Sequence, residues 1–581
     1  MRCPLSEANR SDLLRIEIGR AGGATWWELA SHLLKQPAAM RNLLLATGLT
    51  LLASACTSSP DQLPDPPVLK ITSPQRSLIQ DHAGKIMVTG TVAPNPAGTP
   101  VKAVLVNNVA AAVNADGTFS ASIDIKPGAT LIHTEATDNG GGKATDTRSV
   151  EAGELRPPGA NIQNAVTADI SAQAFAKISD VASGMIKMAD LSKLIAPMQP
   201  MVNAGGSCLG VKGYVDTITM TDAHISLVPV AGGLQFRAEI DGLNIQGHAS
   251  FKVACIGASD TFGMTADAVV VSGTLDVAPN GMMGFTTTLV SPNVAITNLN
   301  VSAGGIPQSI INLLDVNGLM SFAISKGAEM FMGPMMNKAL GGLAGPQKLN
   351  LLGKTIDVQV APSDVQFTAA SGLIVLDMRF LIEGSETSKG FIFTDNGMPT
   401  MDAGAGMQLG IADDLANEMM SEFTALGMLN LSLPQNGGTF DSTTMAATSP
   451  PMISADPADG KMKLVLPDMM QTFTLHGVPV AKAALNATIE LNITPASNGY
   501  AVALNLGAPT INVDVLDDIA NGTRFTNDDL STAVKLCIDG QIKSLSGLLG
   551  GIPLPAMAGI QMRNLSIGAQ AGYVMVKGDI Q

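Results

Sequence analysis

Apolar and polar positions alternate along most of this chain at a period of two. In Leu234-Gln235-Phe236-Arg237-Ala238-Glu239-Ile240-Asp241 the apolar residues fall on one side and the polar or charged ones on the other. That pattern belongs to a half-solvated antiparallel strand, whose successive side chains point to opposite faces. Gly232-Gly233 supplies the turn before it. Nearer the N-terminus, Ile86, Val88, Gly90 and Val92 alternate, and Asp116-Gly117 marks a hairpin turn ahead of Phe119, Ala121, Ile123 and Ile125. Helical spacings of three and four appear only locally. Ile170, Ala174, Ile178, Val181, Met185 and Met188 predict an amphipathic helix within Ala165–Ile195. A second helix opens at Ile306-Pro307 and runs to about Leu340. Ile411, Leu415, Met419, Phe423 and Leu426 predict a third over Gly406–Leu426, and Leu530, Val534, Cys537 and Leu545 a fourth over Thr526–Leu548. Residues 349–384 carry no helical pattern and read as a connecting sheet.

A long-period repeat organises these elements. Val271, Gly273, Leu275 and Val277 lead to an Asn280-Gly281 turn, two strand-like stretches and the helix at Ile306-Pro307. Ala487, Ile489, Leu491 and Ile493 lead to Asn498-Gly499, two more such stretches and the helix near Thr526. From turn glycine to helix start the separation is 26 residues in the first case and 27 in the second. One fold duplicated explains the match.

Composition narrows the class. With 46% hydrophobic, 14% charged and 4% aromatic residues, 60 Gly and 31 Met, the chain is too apolar for disorder and favours a strand-rich, turn-rich fold over a helical bundle. At 581 residues several cores are needed. The net charge is −15, and −17 for the chain from Cys56 onward. Such an acidic surface opposes binding to nucleic acid or to anionic head groups, so a bound lipid would be held by its tails.

Leu43–Ala55 is 13 residues without charge, too short to span a bilayer but suited to a signal-peptide core, and Arg41 supplies the basic flank. Ala53-Ser54-Ala55-Cys56, followed by a polar, Pro-rich stretch, resembles the lipobox of bacterial lipoproteins, with Ala53 where Leu is usual. Residues 1–55 are thus read as the signal region, with Met40 as the expected true start and 56–65 as a tether. The resemblance implies diacylglycerol on Cys56 and usually an acyl chain on its amine, giving the multiple chains that stable membrane anchoring requires. Thr57 stands where an Asp would be linked to inner-membrane retention, which favours the outer membrane of the cell envelope. Export makes a Cys208–Cys255 disulfide possible, the alternative being two separately buried thiols. Cys537 is expected in a core.

Residues 66–152, with "VTGTV", "ADGTFSASIDIKPG" and "HTEATDNGG", resemble bacterial immunoglobulin-like modules, including the second domain of glucodextranases. A spacer role is expected ahead of carbohydrate contact, because Phe119 sits on the buried face. Residues from Ala160 to Gln581 resemble the bactericidal/permeability-increasing protein family of the tubular lipid-binding superfamily. The resemblance is carried by the helix, long meander, Ile-Pro helix, sheet and second such unit, and by 221–253 and the ending 551–580. It implies an α+β, β-rich fold: an immunoglobulin-like β-sandwich, then two tandem helix-wrapped antiparallel β-barrels (160–345 and 401–581) joined by a central sheet (346–400). It also implies tubular apolar pockets for phospholipid or other acyl chains. The expected lining is Ile170, Ile178, Met185, Ile310, Leu314 and Phe322 in the first unit and Met419, Phe423, Leu426, Leu530, Val534 and Leu545 in the second. Read without the resemblance, the same residues fill a closed core equally well, with Met as gap filler, and that alternative belongs to a surface structural or adhesion protein. Endotoxin neutralisation does not carry over to an acidic chain without a Lys/Arg run.

Chemistry is not expected. His32, His82, His133, His224, His248 and His476 show no metal-ligand spacing, and there is no Cys-x-x-Cys. No Gly-x-Ser-x-Gly elbow occurs, and Gly353-Lys354-Thr355 lacks the earlier Gly of a phosphate loop, Lys348 standing in its place. Asp514, Asp517, Asp518, Asp528 and Asp529 lack EF-hand spacing and read as solvated carboxylates near a helix start. A non-catalytic lipid binder without a cofactor is the expectation.

Overall fold

The computed structural model describes residues 65–580 except 282–283, 315–344, 352–353, 395–396, 435–439, 457–460, 496–500, 519–524, 526, 528–529, 533, 536–549 and 554–561. The signal region, Met40, Cys56 and Cys537 lie outside the described residues.

The chain is strand-dominated, beginning with a two-sheet sandwich. One sheet orders Val68–Ser73, Gly84–Ala93, Thr118–Ile125 and Ala112–Val113; the other orders Leu78–Gln80, Lys143–Ala152, Gly128–Asp138, Val101–Val106 and Val109–Ala110. Alternate residues from both sheets, including Val88, Phe119, Ile123, Val104, Ile132 and Val150, meet between them. The turn forms where the pattern placed it. Gly117 takes φ +83°, a value glycine adopts without steric cost, and the Asp116 carboxylate accepts the Thr118 N–H at 2.9 Å.

The rest of the chain builds two matching sheets and one shared between them. In the first unit the order is Val202–Gly205, Leu209–Thr219, Gly233–Val253, Ile256–Pro279, Phe285–Thr297, with Asp222–Val230 bonded to Gly233–Val253. In the second it is Leu431–Pro434, Ser442–Ala446, Lys461–Leu475, Val478–Pro495, Ala501–Leu506, Gly550–Pro553, with Met452–Asp456 on Lys461–Leu475 and Thr510–Asp518 on Val478–Pro495. The correspondence extends to register. Asp222–Val230 covers the first half of its long partner and Leu209–Thr219 the second, and Met452–Asp456 and Ser442–Ala446 divide Lys461–Leu475 in the same way. Each next long strand is followed by two partners, divided differently: Ile256–Pro279 pairs with Phe285–Thr297, which breaks at Ser291, φ +51°, and with the short Asn300–Ser302, whereas Val478–Pro495 pairs with Ala501–Leu506 and Thr510–Asp518.

The shared sheet has seven strands, ordered Gly345–Leu351, Lys354–Phe367, Ser371–Ile382, Ile162–Ser171, Met407–Ala412, Tyr573–Ile580 and Met562–Gln570. Two sequence expectations change here. The first-unit helix begins at Ala172, and Ile162–Ser171 before it is a strand; the second-unit helix spans Asp414–Ala425, and Met407–Ala412 is a strand. Both strands lie in the middle of the sheet, paired on each side, and residues 167–171 are buried consecutively, with no alternation. A strand covered on both faces shows no period of two, so apolar residues such as Ile170 fall into helical spacing with the real helix that follows. Within the stretch read as a central sheet, Gly345–Leu351, Lys354–Phe367 and Ser371–Ile382 form one side of this sheet, whereas Phe391–Phe393 lies outside it.

The sandwich packs against the second unit. Its strand Lys143–Ala152 lies against Lys461–Leu475 and Thr510–Asp518, and the following Glu154–Arg156 pairs with Phe391–Phe393. Arg156 stacks over the Phe393 ring at 3.3 Å.

Candidate functional site

The first unit brings an amphipathic helix against the inner face of its sheet. Helix Ala172–Met188 starts at Ser171, whose hydroxyl accepts the Ala174 N–H at 3.1 Å. Its deepest face is Ala174, Phe175, Ser179, Ala182, Ser183 and Ile186. Val181 and Met188, expected on the apolar stripe, are exposed, because the buried face is rotated toward the small residues.

Those serines explain the rotation. Strand Asp222–Val230 has a sheet neighbour on one side only, so N–H groups on its other edge need acceptors. Ser179 Oγ accepts the Leu227 N–H at 2.9 Å and Ser183 Oγ accepts the Ile225 N–H at 2.8 Å. Each hydroxyl in turn donates to the carbonyl one helical turn back, Phe175 O at 2.8 Å and Ser179 O at 2.7 Å. Small side chains on that face let helix and strand approach closely enough for these bonds.

Around this seam runs one apolar cluster. It joins Ala168, Ile374 and Leu409 of the shared sheet to Phe175 and Ile186 of the helix, Leu234, Phe236 and Leu275 of the long strands, and Phe251 and Phe262 further out. Of the residues expected to line a pocket, Ile170 and Ile310 are buried in this cluster and Ile178 and Met185 pack against it half-buried. Phe322 and Leu545 lie outside the described residues, as does the Leu314 side chain, though helix Gln308–Leu314 itself is described. Cys208 and Cys255 are joined by a disulfide at the outer end of the same sheet.

In the second unit the expected lining divides. Leu530 and Val534 pack with Phe440, Phe473 and Leu485, whereas Met419, Phe423 and Leu426 pack with Ile356, Phe380 and Ile382 of the shared sheet. They were expected together in a second pocket. The helix Asp414–Ala425 turns its apolar stripe to the shared sheet and buries its polar face instead. Asp414, Asn417, Glu418, Ser421 and Glu422 are all buried. Their partners come from surrounding chain: Glu418 accepts the Gly159 N–H at 2.8 Å, Glu422 accepts the Ile382 N–H at 2.6 Å and the Ser385 hydroxyl at 2.9 Å, and Asn417 accepts the Ile453 N–H at 2.7 Å. Burial, reinforced by the neighbouring Glu422 charge, pushes Glu418 up to about 9, and burial likewise raises Glu422.

Sequence reasoning missed these acids and also Asp514, which is buried at 3% exposure instead of solvated. The described parts of the chain offer no convergence of three or more His, Cys, Asp or Glu side chains able to hold a metal ion, and no described helix is long and apolar enough to cross a membrane.

Comparison with known proteins first places the class of the N-terminal module. Residues 67–153 match the family model "Glucodextranase, domain B". No curated protein matches the chain. Among solved structures, lipopolysaccharide binding protein is similar to 73% of this chain and is covered over 99% of its own, at 15% identity and a TM-score of 0.34. P47 of Clostridium botulinum E1 is similar to 72% of this chain and covered over 98% of its own, at 9% identity and a TM-score of 0.26.

Proposed function

We propose that this chain is a membrane-anchored lipoprotein whose first unit binds phospholipid or another acyl-chain ligand without catalysing a reaction. The observation that carries the reading is the single apolar cluster in which Ile170, Ile178, Met185 and Ile310 converge between helix and sheet. Ile178 and Met185, half-buried against that cluster, support the reading as the side chains that would meet an acyl chain, and Met adapts to variable shapes. Diacylglycerol on Cys56 would keep the carrier beside a bilayer that supplies its ligand, in the envelope and on the outer membrane. Two measurements test the parts separately. Native mass spectrometry of the purified protein should show co-purified lipid, and labelled phospholipid should enter the delipidated protein but not Met185→Trp, which fills the same space at roughly 1–3 kcal/mol of overpacking. No bound lipid and no uptake in the folded wild-type protein would end the lipid-binding reading. Incorporation of labelled palmitate should be lost in Cys56→Ser; unchanged incorporation would end the anchor reading.

A further inference from the structure

The face on which the sandwich meets the second unit is polar, charged and closed to solvent. Asp468 projects from a register break in strand Lys461–Leu475, with φ +38° and 0% exposure. Its carboxylate accepts five hydrogen bonds: Arg76 Nη1 at 2.9 Å and Asn486 Nδ2 at 2.9 Å on Oδ1, and the Ser77 N–H at 2.7 Å, Ser149 N–H at 2.9 Å and Ser149 Oγ–H at 2.9 Å on Oδ2. All but the Asn486 bond come from the sandwich. The sandwich therefore builds an anion cradle from two backbone N–H groups, a hydroxyl and a guanidinium, and a side chain of the body fills it.

Asp514 lies alongside, accepting the Thr147 N–H at 2.8 Å with its Oδ2 3.6 Å from Arg76 Nη2. The charged and titratable groups facing this region from the sandwich are Arg76, Asp146, Arg148, Glu151 and His133, whose ring bonds the Thr147 hydroxyl at 2.9 Å. From the body they are Asp468, Asp514 and Lys389. Carboxylates outnumber the cations. Glu151, 2% exposed, and Asp514 each keep one buried oxygen without a hydrogen-bond partner.

We propose that this interface is a proton-dependent latch: Asp468 plugs the cradle and holds the sandwich on the second unit, and proton loss from Asp514 and Glu151 loosens the dock. Burial is the main cause that raises both acids, Asp514 to about 7 against the opposing pull of Arg76, and Glu151 to about 8 against the opposing influence of the nearby Ser449 hydroxyl, with the Asp468 charge adding in each case. Undocking returns them to the ordinary carboxylate range, so the docked state binds more protons. The contribution of these two protons to docking is therefore full below about pH 4 and is lost as pH rises through 7 and 8.

Hydrogen exchange on the full chain, corrected for the intrinsic pH dependence, tests this at the amides of Ser77, Thr147 and Ser149. Their protection should fall by roughly tenfold or more between about pH 6 and pH 9, while strand Val478–Pro495 keeps its own. The double variant Glu151→Gln/Asp514→Asn should abolish that fall. Asp468→Ala should remove the protection at both pH values and open residues 153–161 to protease. Arg76→Ala should do the same from the sandwich side, where no body residue is altered. Wild-type protection that does not change with pH overturns the proton dependence, and protection retained in both Asp468→Ala and Arg76→Ala overturns the latch.

Discussion

The two unit helices occupy matching places and do different work. Ala172–Met188 follows Ile162–Ser171, Asp414–Ala425 follows Met407–Ala412, and those two strands are antiparallel neighbours in the middle of the shared sheet. Each helix also supplies acceptors to a strand with one sheet neighbour: Ser179 and Ser183 to Leu227 and Ile225, Asn417 to Ile453. Beyond that they diverge. The first adds Ala174, Phe175, Ala182 and Ile186 to an apolar cluster; the second buries Asp414, Glu418 and Glu422 under loops. A duplicated backbone retains the requirement that edge N–H groups be satisfied, because leaving them bare costs about 1–3 kcal/mol each, and leaves the rest of the helix face free to change. The lipid-binding proposal therefore rests on the first unit, while the second-unit helix ties together the linker at Gly159, the loop at Ile382–Ser385 and strand Met452–Asp456.

The largest effects test whether the units stand apart. Phe236 is 2% exposed in the first core and Phe473 0% in the second. Truncating either to Ala should cost roughly 3–5 kcal/mol in denaturant unfolding, with faster hydrogen exchange confined to its own unit. Faster exchange spreading through both units from one substitution would show that the shared sheet fuses them, and the comparison would fail.

A pH effect comes next and belongs to the second unit alone. Glu418 is raised by burial to about 9, so the folded protein holds a proton that the unfolded chain releases. The resulting stability is complete below the ordinary glutamate value of 4.5 and is lost as pH rises toward about 9. Glu418→Gln keeps an acceptor for the Gly159 N–H and removes the ionisation. It should flatten that decline when the melting temperature is followed from acid to alkaline pH. An unchanged slope would mean that Glu418 is not the group responsible.

How much of this was legible depends on the range over which each signal acts. The alternation in Leu234–Asp241 and the turn at Asp116-Gly117 are local, and both form as read. The repeat was legible because turn chemistry and strand period recur at a fixed spacing. Ile162–Ser171 was not, because a strand buried on both faces has no polar side to mark its period. For Met419, Phe423 and Leu426 the stripe was correct but its partner was not: periodicity tells which residues share a face, not which sheet that face meets. Glu418 and Glu422 read as the solvent side of that helix because the N–H groups that bury them come from Gly159 and Ile382, remote in sequence. Asp468 lies 319 residues from Ser149. Its one local sign is a carboxylate inside the apolar run Leu464–Met470.

The smallest effect returns to the feature the units share. Ser183→Ala leaves the Ile225 N–H without its acceptor, and Asn417→Ala does the same to Ile453; each should cost about 1–3 kcal/mol. Alanine's better helix propensity offsets this by at most about 0.7 kcal/mol. Exchange at Ile225 or Ile453 should quicken in the matching variant only. Comparable losses would mean that both copies depend on the same edge contact despite their different faces. If Asn417→Ala left stability and Ile453 exchange unchanged, the second helix would be held by its buried acids and its stripe on the shared sheet. The two helices would then correspond in position without corresponding in the bond that fixes them there.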